Sequence, residues 1–239
     1  MVKFPSESKM KTSRLIFCAA LMLAIPSVHA ETVIYETGFE PADKFQIGAL
    51  EQSGETWKTS GDYPFEIKDA GSDGKGQIME SASDNAGSGS RAWINGVDFK
   101  GSNKVSVALD VRRVRSGALG HQANIHLGNF EDAPKTKPDG TAVLISIRGS
   151  GRMIAFDGET EHELKTEVKD GEWLQLRIDA DGDAKTFAVS VNGEPVASDL
   201  AFRDPQAGWI TALGFTHYSG SEAMNSCSMA VDNVKITAP

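Results

Sequence analysis

The amino-acid sequence predicts an all-β fold, an antiparallel sandwich or barrel, and three observations carry that expectation. Apolar residues recur with a period of two in one short stretch after another. Asp-Gly and Asn-Gly dipeptides separate these stretches, and their glycines supply the positive φ that hairpin turns require. No long stretch keeps the 3.6-residue period of an amphipathic helix.

The alternation is clearest over 102–114, where Val105, Val107, Leu109 and Val111 share one parity and Ser106, Ala108, Asp110 and Arg112 the other. Between Gln122 and Leu127, Ala123, Ile125 and Leu127 alternate with Gln122, Asn124 and His126; from Ala142 to Arg148, Val143, Ile145 and Ile147 alternate with Leu144, Ser146 and Arg148. Further strands are expected over 90–95, 152–156, 174–179, 187–191, 210–216 and 226–236. Turns are expected at Asp73-Gly74, Asp139-Gly140, Asp157-Gly158, Asp170-Gly171, Asp181-Gly182 and Asn192-Gly193. The stretch 81–90, SASDNAGSGS, reads as a surface loop. With no internal repeat or long linker, 31–239 reads as one domain.

Residues 1–30 are set apart as a signal peptide. Lys3, Lys9, Lys11 and Arg14 make a basic start, 15–25 is an apolar run, and Val28-His29-Ala30 has the small residues of a cleavage site. That run is too short to cross a bilayer, so no membrane insertion is expected after cleavage, and a secreted or periplasmic location follows. The whole chain carries a formal charge of −9. The remainder after 1–30 is more acidic still, which argues against a nucleic-acid or anionic-membrane partner. Of the 2 cysteines only Cys227 lies beyond the leader, so no internal disulfide is available. Cys227 is read as a small buried strand residue.

Tyr35-Glu36-Thr37-Gly38-Phe39-Glu40 stands near the start of the remaining chain and Val231-Asp232-Asn233-Val234-Lys235-Ile236 at its end. Between them, Trp173 to Ile178 leads through an Asp-rich turn to Phe187 to Val196, which reads as a hairpin. This layout resembles the concanavalin A-like lectin/glucanase superfamily, especially its laminin-G-like exported bacterial domains. The resemblance implies a jelly roll whose first and last strands lie side by side, with a concave, often glycan-binding face. The galactose-binding-like modules share similar opening and closing strands and remain the alternative fold. The resemblance also implies a structural Ca²⁺ where the chain ends meet, held by acids such as Glu36, Glu40 or Asp232. By contrast Asp179, Asp181 and Asp183 lack the spacing of a calcium loop and read as a hairpin turn.

Glycan binding needs an exposed aromatic plane flanked by groups that hydrogen-bond hydroxyls. Strand parity puts Arg91, Trp93 and Asn95 opposite Ala92 and Ile94, so Trp93 is expected to face outward. Asp110, Arg112, Asn124, His126 and Arg148 fall on polar parities of neighbouring strands, whereas Trp173 and Trp209 read as core. The Glu-x-Asp-x-x-Glu strand of retaining glucanases does not occur, and Glu159, Glu161 and Glu163 read as an exposed hairpin. Gln122 to His126 faintly resembles the Gln-x-His strand of alginate lyases, with His126 and Tyr218 as the acid–base pair, although Gln122 and His126 are four apart rather than two. The expectation is therefore a non-catalytic polysaccharide-binding module. A uronate lyase is the first alternative and a protein-interaction module the second.

Overall fold

The computed structural model describes residues 31–52, 56–61, 64–71, 74–81, 89–97, 103–115, 122–135, 137, 139–218 and 228–239. The expected leader, Cys227 and most of the 81–90 loop lie outside the described residues, as do the side chains of Gln122 and Tyr218.

Two antiparallel sheets face each other. Sheet A runs β14 (Glu194–Ala201), β13 (Thr186–Val191), β12 (Trp173–Asp181), β7 (Lys104–Arg115), β16 (Ser228–Ala238), β5 (Gln77–Ser81), β4 (Phe65–Asp69) and β2 (Gly48–Ala49). On the far edge of β16, β1 (Thr32–Thr37) pairs alongside β5, from Thr32↔Ala238 to Thr37↔Val234. Sheet B runs β11 (Thr160–Glu167), β10 (Arg152–Asp157), β9 (Thr141–Arg148), β8 (Gln122–Gly128), β15 (Ala212–Tyr218), β6 (Gly89–Ile94) and β3 (Trp57–Gly61). The first described strand thus lies beside the last, as the resemblance implied.

The period-two pattern builds the core. Leu109, Val111, Leu176, Ile178 and Val189 of sheet A and Ile125, Ile145, Ala92 and Phe215 of sheet B belong to one buried cluster. Phe39 is buried at its edge, 5.8 Å from Trp57, which stacks on Phe215 at 5.9 Å between ring centres. The Trp57 indole N–H donates to the Tyr35 hydroxyl at 2.8 Å, so this aromatic group ties β1 to sheet B. Val231 and Val234 are both buried although three residues apart. A bulge after Asp232, with Asn233 at φ 49°, absorbs the extra residue, while Asp232 itself follows Val231 onto the outward parity.

The described turns follow the dipeptides, and Asp73 of the expected Asp73-Gly74 turn lies outside the described residues. Asn192 and Gly193, at φ 52° and 82°, join β13 to β14 with both residues left-handed. Asp181 accepts from the backbone N–H groups of Asp183 and Ala184, each at 3.0 Å, which makes the Asp-rich segment a hairpin turn. Two tryptophans differ from expectation. Trp173 lies on the outer face of sheet A, half-buried beneath Arg112 and Lys75, whose charged groups stand 4.7 and 5.2 Å from its ring centre. Its neighbours Leu174 and Leu176 take the core parity instead. Trp209 is 49% exposed, because the connection from β14 to β15 runs over the surface.

Candidate functional site

Cross-strand register orders the outer face of sheet B into rows. Ser60 on β3, Arg91 on β6, Thr216 on β15, Asn124 on β8 and Ser146 on β9 are successive partners, so one polar row crosses five strands. The next row reads Lys58, Trp93, Gly214, His126 and Leu144. The opposite parity of the same strands supplies Ala92, Ile94, Leu213, Phe215, Ile125 and Ile145 to the core. The row therefore faces away from it. Of the residues expected to bind glycan, Arg91 and Asn124 stand in the first row and Trp93 and His126 in the second. Arg148 ends β9 on the same parity as Ser146, and Asn95 follows β6 directly.

The middle of this face is a closed hydrogen-bond chain. The Ser146 hydroxyl donates to Asn124 Oδ1, and Asn124 Nδ2 donates to Thr216 Oγ1 at 3.0 Å. Thr216 Oγ1 in turn lies 3.0 Å from His126 Nε2. All four side chains are fully or almost fully buried. Desolvation, reinforced by the charges of Arg203 and Arg91, pushes the His126 imidazole down to about 3, so it is neutral at physiological pH. His126 Nδ1 has no hydrogen-bond partner among the described residues. Such a buried atom is a natural contact for an internal water.

Trp93, expected as an open plane, instead lies under a strap formed by 129–135. Phe130, Ala133 and Ala212 pack with it in a small apolar cluster. Asn95 Nδ2 donates to the strap carbonyl of Glu131 at 2.8 Å, and Trp93 Nε1 reaches the same oxygen at 3.4 Å. Gly214, between Trp93 and His126, leaves a notch that the strap fills. A Cβ at this position would stand 2.7 Å from Pro134 Cγ and 3.3 Å from both Phe130 Cζ and Trp93 Cβ. Gly214→Ala is accordingly expected to lift the strap, cost about 1–3 kcal/mol and shift Trp93 emission toward the red. Thermal melts and fluorescence check this; unchanged emission would show that the strap is not seated on Gly214.

Tyr218 ends β15 opposite Gln122, but its side chain and that of Gln122 lie outside the described residues, so the lyase pair is untested at that end. Sequence reading missed Arg203 altogether. Its backbone N–H donates to the Ala142 carbonyl at 2.8 Å and its guanidinium covers the Phe156 ring at 4.1 Å, from a connection that has no period to read.

The seam of β1 and β16 is the candidate metal position. Asp232 is 2% exposed, and burial, with Asp110 and Glu40 nearby, pushes its carboxyl up to about 6. Lys75 partly offsets this charge, pairing with Asp110 and lying 3.7 Å from Asp232 Oδ2. Glu40 accepts from the Gln77 N–H at 3.1 Å. Glu36 departs from the expected trio: it is aligned with Lys235 across the strand pair and bonded to that ammonium at 3.2 Å, out in solvent. Glu40 thus stays near Asp232, while Glu36 does not join them. Among the described residues no cluster of three or more His, Cys, Asp or Glu converges as a metal site. The rest of the outer face of sheet A is tied up in ion pairs, chiefly Arg177 with Glu31 and Asp179 and Lys104 with Asp181.

Two facing antiparallel sheets closed by a β1–β16 pair form a jelly-roll sandwich of the concanavalin A-like fold. No protein-family model matches the chain, and no curated protein matches it. Solved structures do. One is a conserved carbohydrate esterase from the Shiga toxin-encoding bacteriophage phi24B, with a TM-score of 0.58 at 14% identity over 87% of this chain and 99% of that one. Another is the carbohydrate recognition domain of Emp47p, at 0.55 and 12% over 87% and 96%. The Ca²⁺/Man3GlcNAc-bound lumenal domain of VIP36 matches at 0.50 and 9% over 77% and 83%. A sialidase matches at 0.59 and 12% over 81% of this chain, which spans only 18% of that protein. At such identities the likeness is one of fold.

Proposed function

We propose that this protein is an exported module that binds a polysaccharide on the outer face of sheet B without transforming it. The observation that carries this reading is the polar row of Ser60, Arg91, Thr216, Asn124 and Ser146, which crosses five strands on the side turned away from the core. Thr216, Asn124 and Ser146, buried and bonded to one another, form its rigid floor, while the half-buried Ser60, Arg91 and Arg148 at its margins reach the surface where a chain of hydroxyls would lie. The carbohydrate recognition domain of Emp47p and the glycan-bound VIP36 domain, on the same fold, support it. The test is incubation of the protein with neutral and uronate polysaccharides, assaying retention and new chain ends together. Retention without new ends, weakened at least tenfold in Arg148→Ala but not in Gln175→Ala on sheet A, is the expected result. Retention unaffected by Arg148→Ala would move the site elsewhere.

A second reading, uronate-lyase activity, is favoured by the neutral His126 with its unpartnered ring nitrogen. A conjugate acid near 3 makes a weak base at neutral pH, which is why binding comes first. New unsaturated ends in the same assay would reverse that order.

A structural Ca²⁺ held by Glu40 and Asp232 accompanies the proposal. Such an ion would neutralise the desolvated Asp232 carboxylate and fasten the first strand to the last. Dialysis against a chelator is expected to lower the Tm, and added Ca²⁺ to restore it in the native chain but not in Asp232→Asn. A melt that ignores both treatments would remove the ion.

A further inference from the structure

A sugar ring packs its C–H face on an aromatic plane, and the rows of sheet B leave none open. Trp93 lies under the strap, Trp57 is buried in the core, and Trp173, on sheet A, is capped by Arg112 and Lys75. Among the described residues the only exposed aromatic is Trp209, and its indole has neither a hydrogen bond nor a ring contact with any of them. A single exposed apolar side chain is ordinary by itself. The frame around this one is not. The N–H groups of Arg203 and Asp204 donate to the carbonyls of Ala142 and Thr141 at 2.8 and 3.1 Å. The Asp204 carboxylate accepts from the N–H groups of Gly140 and Gln206 at 2.9 and 2.8 Å. Ala207 and Ile210, on either side of Gly208-Trp209, are buried, and the Lys185 ammonium donates to the Ala207 carbonyl at 2.5 Å. The Thr211 N–H donates to Gly128 O at 2.8 Å, and its hydroxyl donates to Asn129 Oδ1 at 3.0 Å. A connection anchored on both sides of Trp209 thus holds the indole out in water.

The connection meets sheet B at Gly128, Thr141 and Ala142, where β8 ends and β9 begins, and runs into β15 at Ala212. From Ala212, β15 continues four residues to Thr216 of the polar row, about 13 Å at the rise of a strand. An extended glycan that follows β15 away from the row therefore arrives at this connection. Beside it the strap and the start of β9 border a hollow of about 170 Å³, with Phe130, Ala133, Glu131, Asp132, Lys135 and Asp139 among its walls. Asp204 and Thr211 are bonded to two further wall residues, Gly140 and Asn129. Drug-sized ligands occupy roughly 300 Å³ or more, so this hollow takes one ring rather than a chain. Among its described walls three carboxylates face the single ammonium of Lys135, which is itself bonded to Asp139 at 3.0 Å. Carboxylates accept from sugar hydroxyls and repel uronates and sulfates. We infer that Trp209 is the aromatic platform of the glycan site, stacking one pyranose ring of a neutral polysaccharide whose chain continues along β15. The inference rests on the assignment of the sheet B face as the glycan site and adds the stacking residue and the chemical class of the ligand.

The test titrates xylan, mannan, galactan and dextran, with polygalacturonate and alginate as charged counterparts, against the native chain, Trp209→Ala, Trp209→Phe and Ile47→Ala. Ile47 is the control, being another exposed apolar side chain, 63% accessible, ahead of β2. The expected result is retention of a neutral polymer, weakened roughly tenfold in Trp209→Ala, within about threefold of native in Trp209→Phe and unchanged in Ile47→Ala. Binding should also shift the tryptophan emission of the native chain toward the blue, and Trp209→Phe should abolish that shift. This readout reports the contact in the unaltered protein, and thermal melts of the variants are expected to match the native one. Full retention by Trp209→Ala, with loss in Arg148→Ala, would overturn the platform while leaving the sheet B face standing. Tighter retention of the uronate polymers would overturn the neutral class. No retention of any polysaccharide would overturn both the inference and the reading it rests on.

Discussion

Acidification from pH 7 to 4 is expected to cost the native protein about 3 kcal/mol more than it costs a His126→Gln variant. The reason lies in the floor of the sheet B face, where the imidazole is fully buried and Arg203 and Arg91 oppose its protonation. Its folded value is near 3 against 6.5 for the ordinary group, so the unfolded chain binds the proton first. Stability from this group is therefore complete above pH 6.5 and is lost progressively as the pH falls toward 3. Asp232 acts in the opposite sense. With its carboxyl raised to about 6, it gains stability on acidification from about 6 toward 3.8. The informative quantity is thus the difference between native and His126→Gln unfolding free energies, measured by urea titration at several pH values. A difference that stays constant between pH 7 and 4 would mean that the imidazole takes up its proton in the folded state, and that the floor is wet.

Much of the fold was legible because the central strands obey one constraint. Val105 to Val111 and Leu174 to Ile178 bury one parity against the opposing sheet, and that constraint writes itself into the sequence as alternation. The edge strands escape it. β11 has Leu164 as its single buried residue among Thr160, Glu161, His162, Glu163 and Lys165, so nothing in its pattern separates a strand from a charged loop. β14 is equally silent, with Leu200 its one buried side chain. Its place at the rim of sheet A is fixed by hydrogen bonding to β13 rather than by burial.

The candidate site divides in the same way. Parity set Arg91 with Trp93 and Asn124 with His126 on shared faces, because a strand residue cannot change face without a bulge, but it also grouped Asp110 and Arg112 with them, which β7 carries in the other sheet. Parity could not reveal the covering of Trp93, since the strap over it is a loop whose position depends on Gly214 being bare. Nor could it reveal Arg203, which belongs to no strand. Glu36 is the converse case. It lies in the quoted opening motif, but its register opposite Lys235 sends it to an ion pair while Glu40, beyond the strand, turns toward Asp232.

Arg113→Met is expected to destabilise the protein by about 3 kcal/mol and to weaken glycan retention as a secondary effect. Arg113 is buried near the end of β7, where its Nη1 donates to the carbonyl of Gly149 at 2.9 Å and reaches that of Arg148 at 3.4 Å. Its Nε lies 2.6 Å from Asp170 Oδ1, and its own carbonyl accepts from the Gly171 N–H at 2.9 Å. One side chain of sheet A thus holds the β9–β10 turn of sheet B and the β11–β12 connection together; Val168 N–H donating to Gly151 O at 2.8 Å completes the junction. Met has the length to fill the space but no donor, so two turn carbonyls and a carboxylate lose their partner at once. The turn that loosens is the one that follows Arg148, so the guanidinium at the end of the polar row becomes less well placed. Urea unfolding of Arg113→Met beside Arg148→Ala separates the two effects: the first should shift the midpoint strongly, the second should leave it nearly unchanged while reducing retention more. If Arg113→Met unfolds at the native midpoint, the junction is not what joins the sheets at this end, and the orientation of Arg148 does not depend on it.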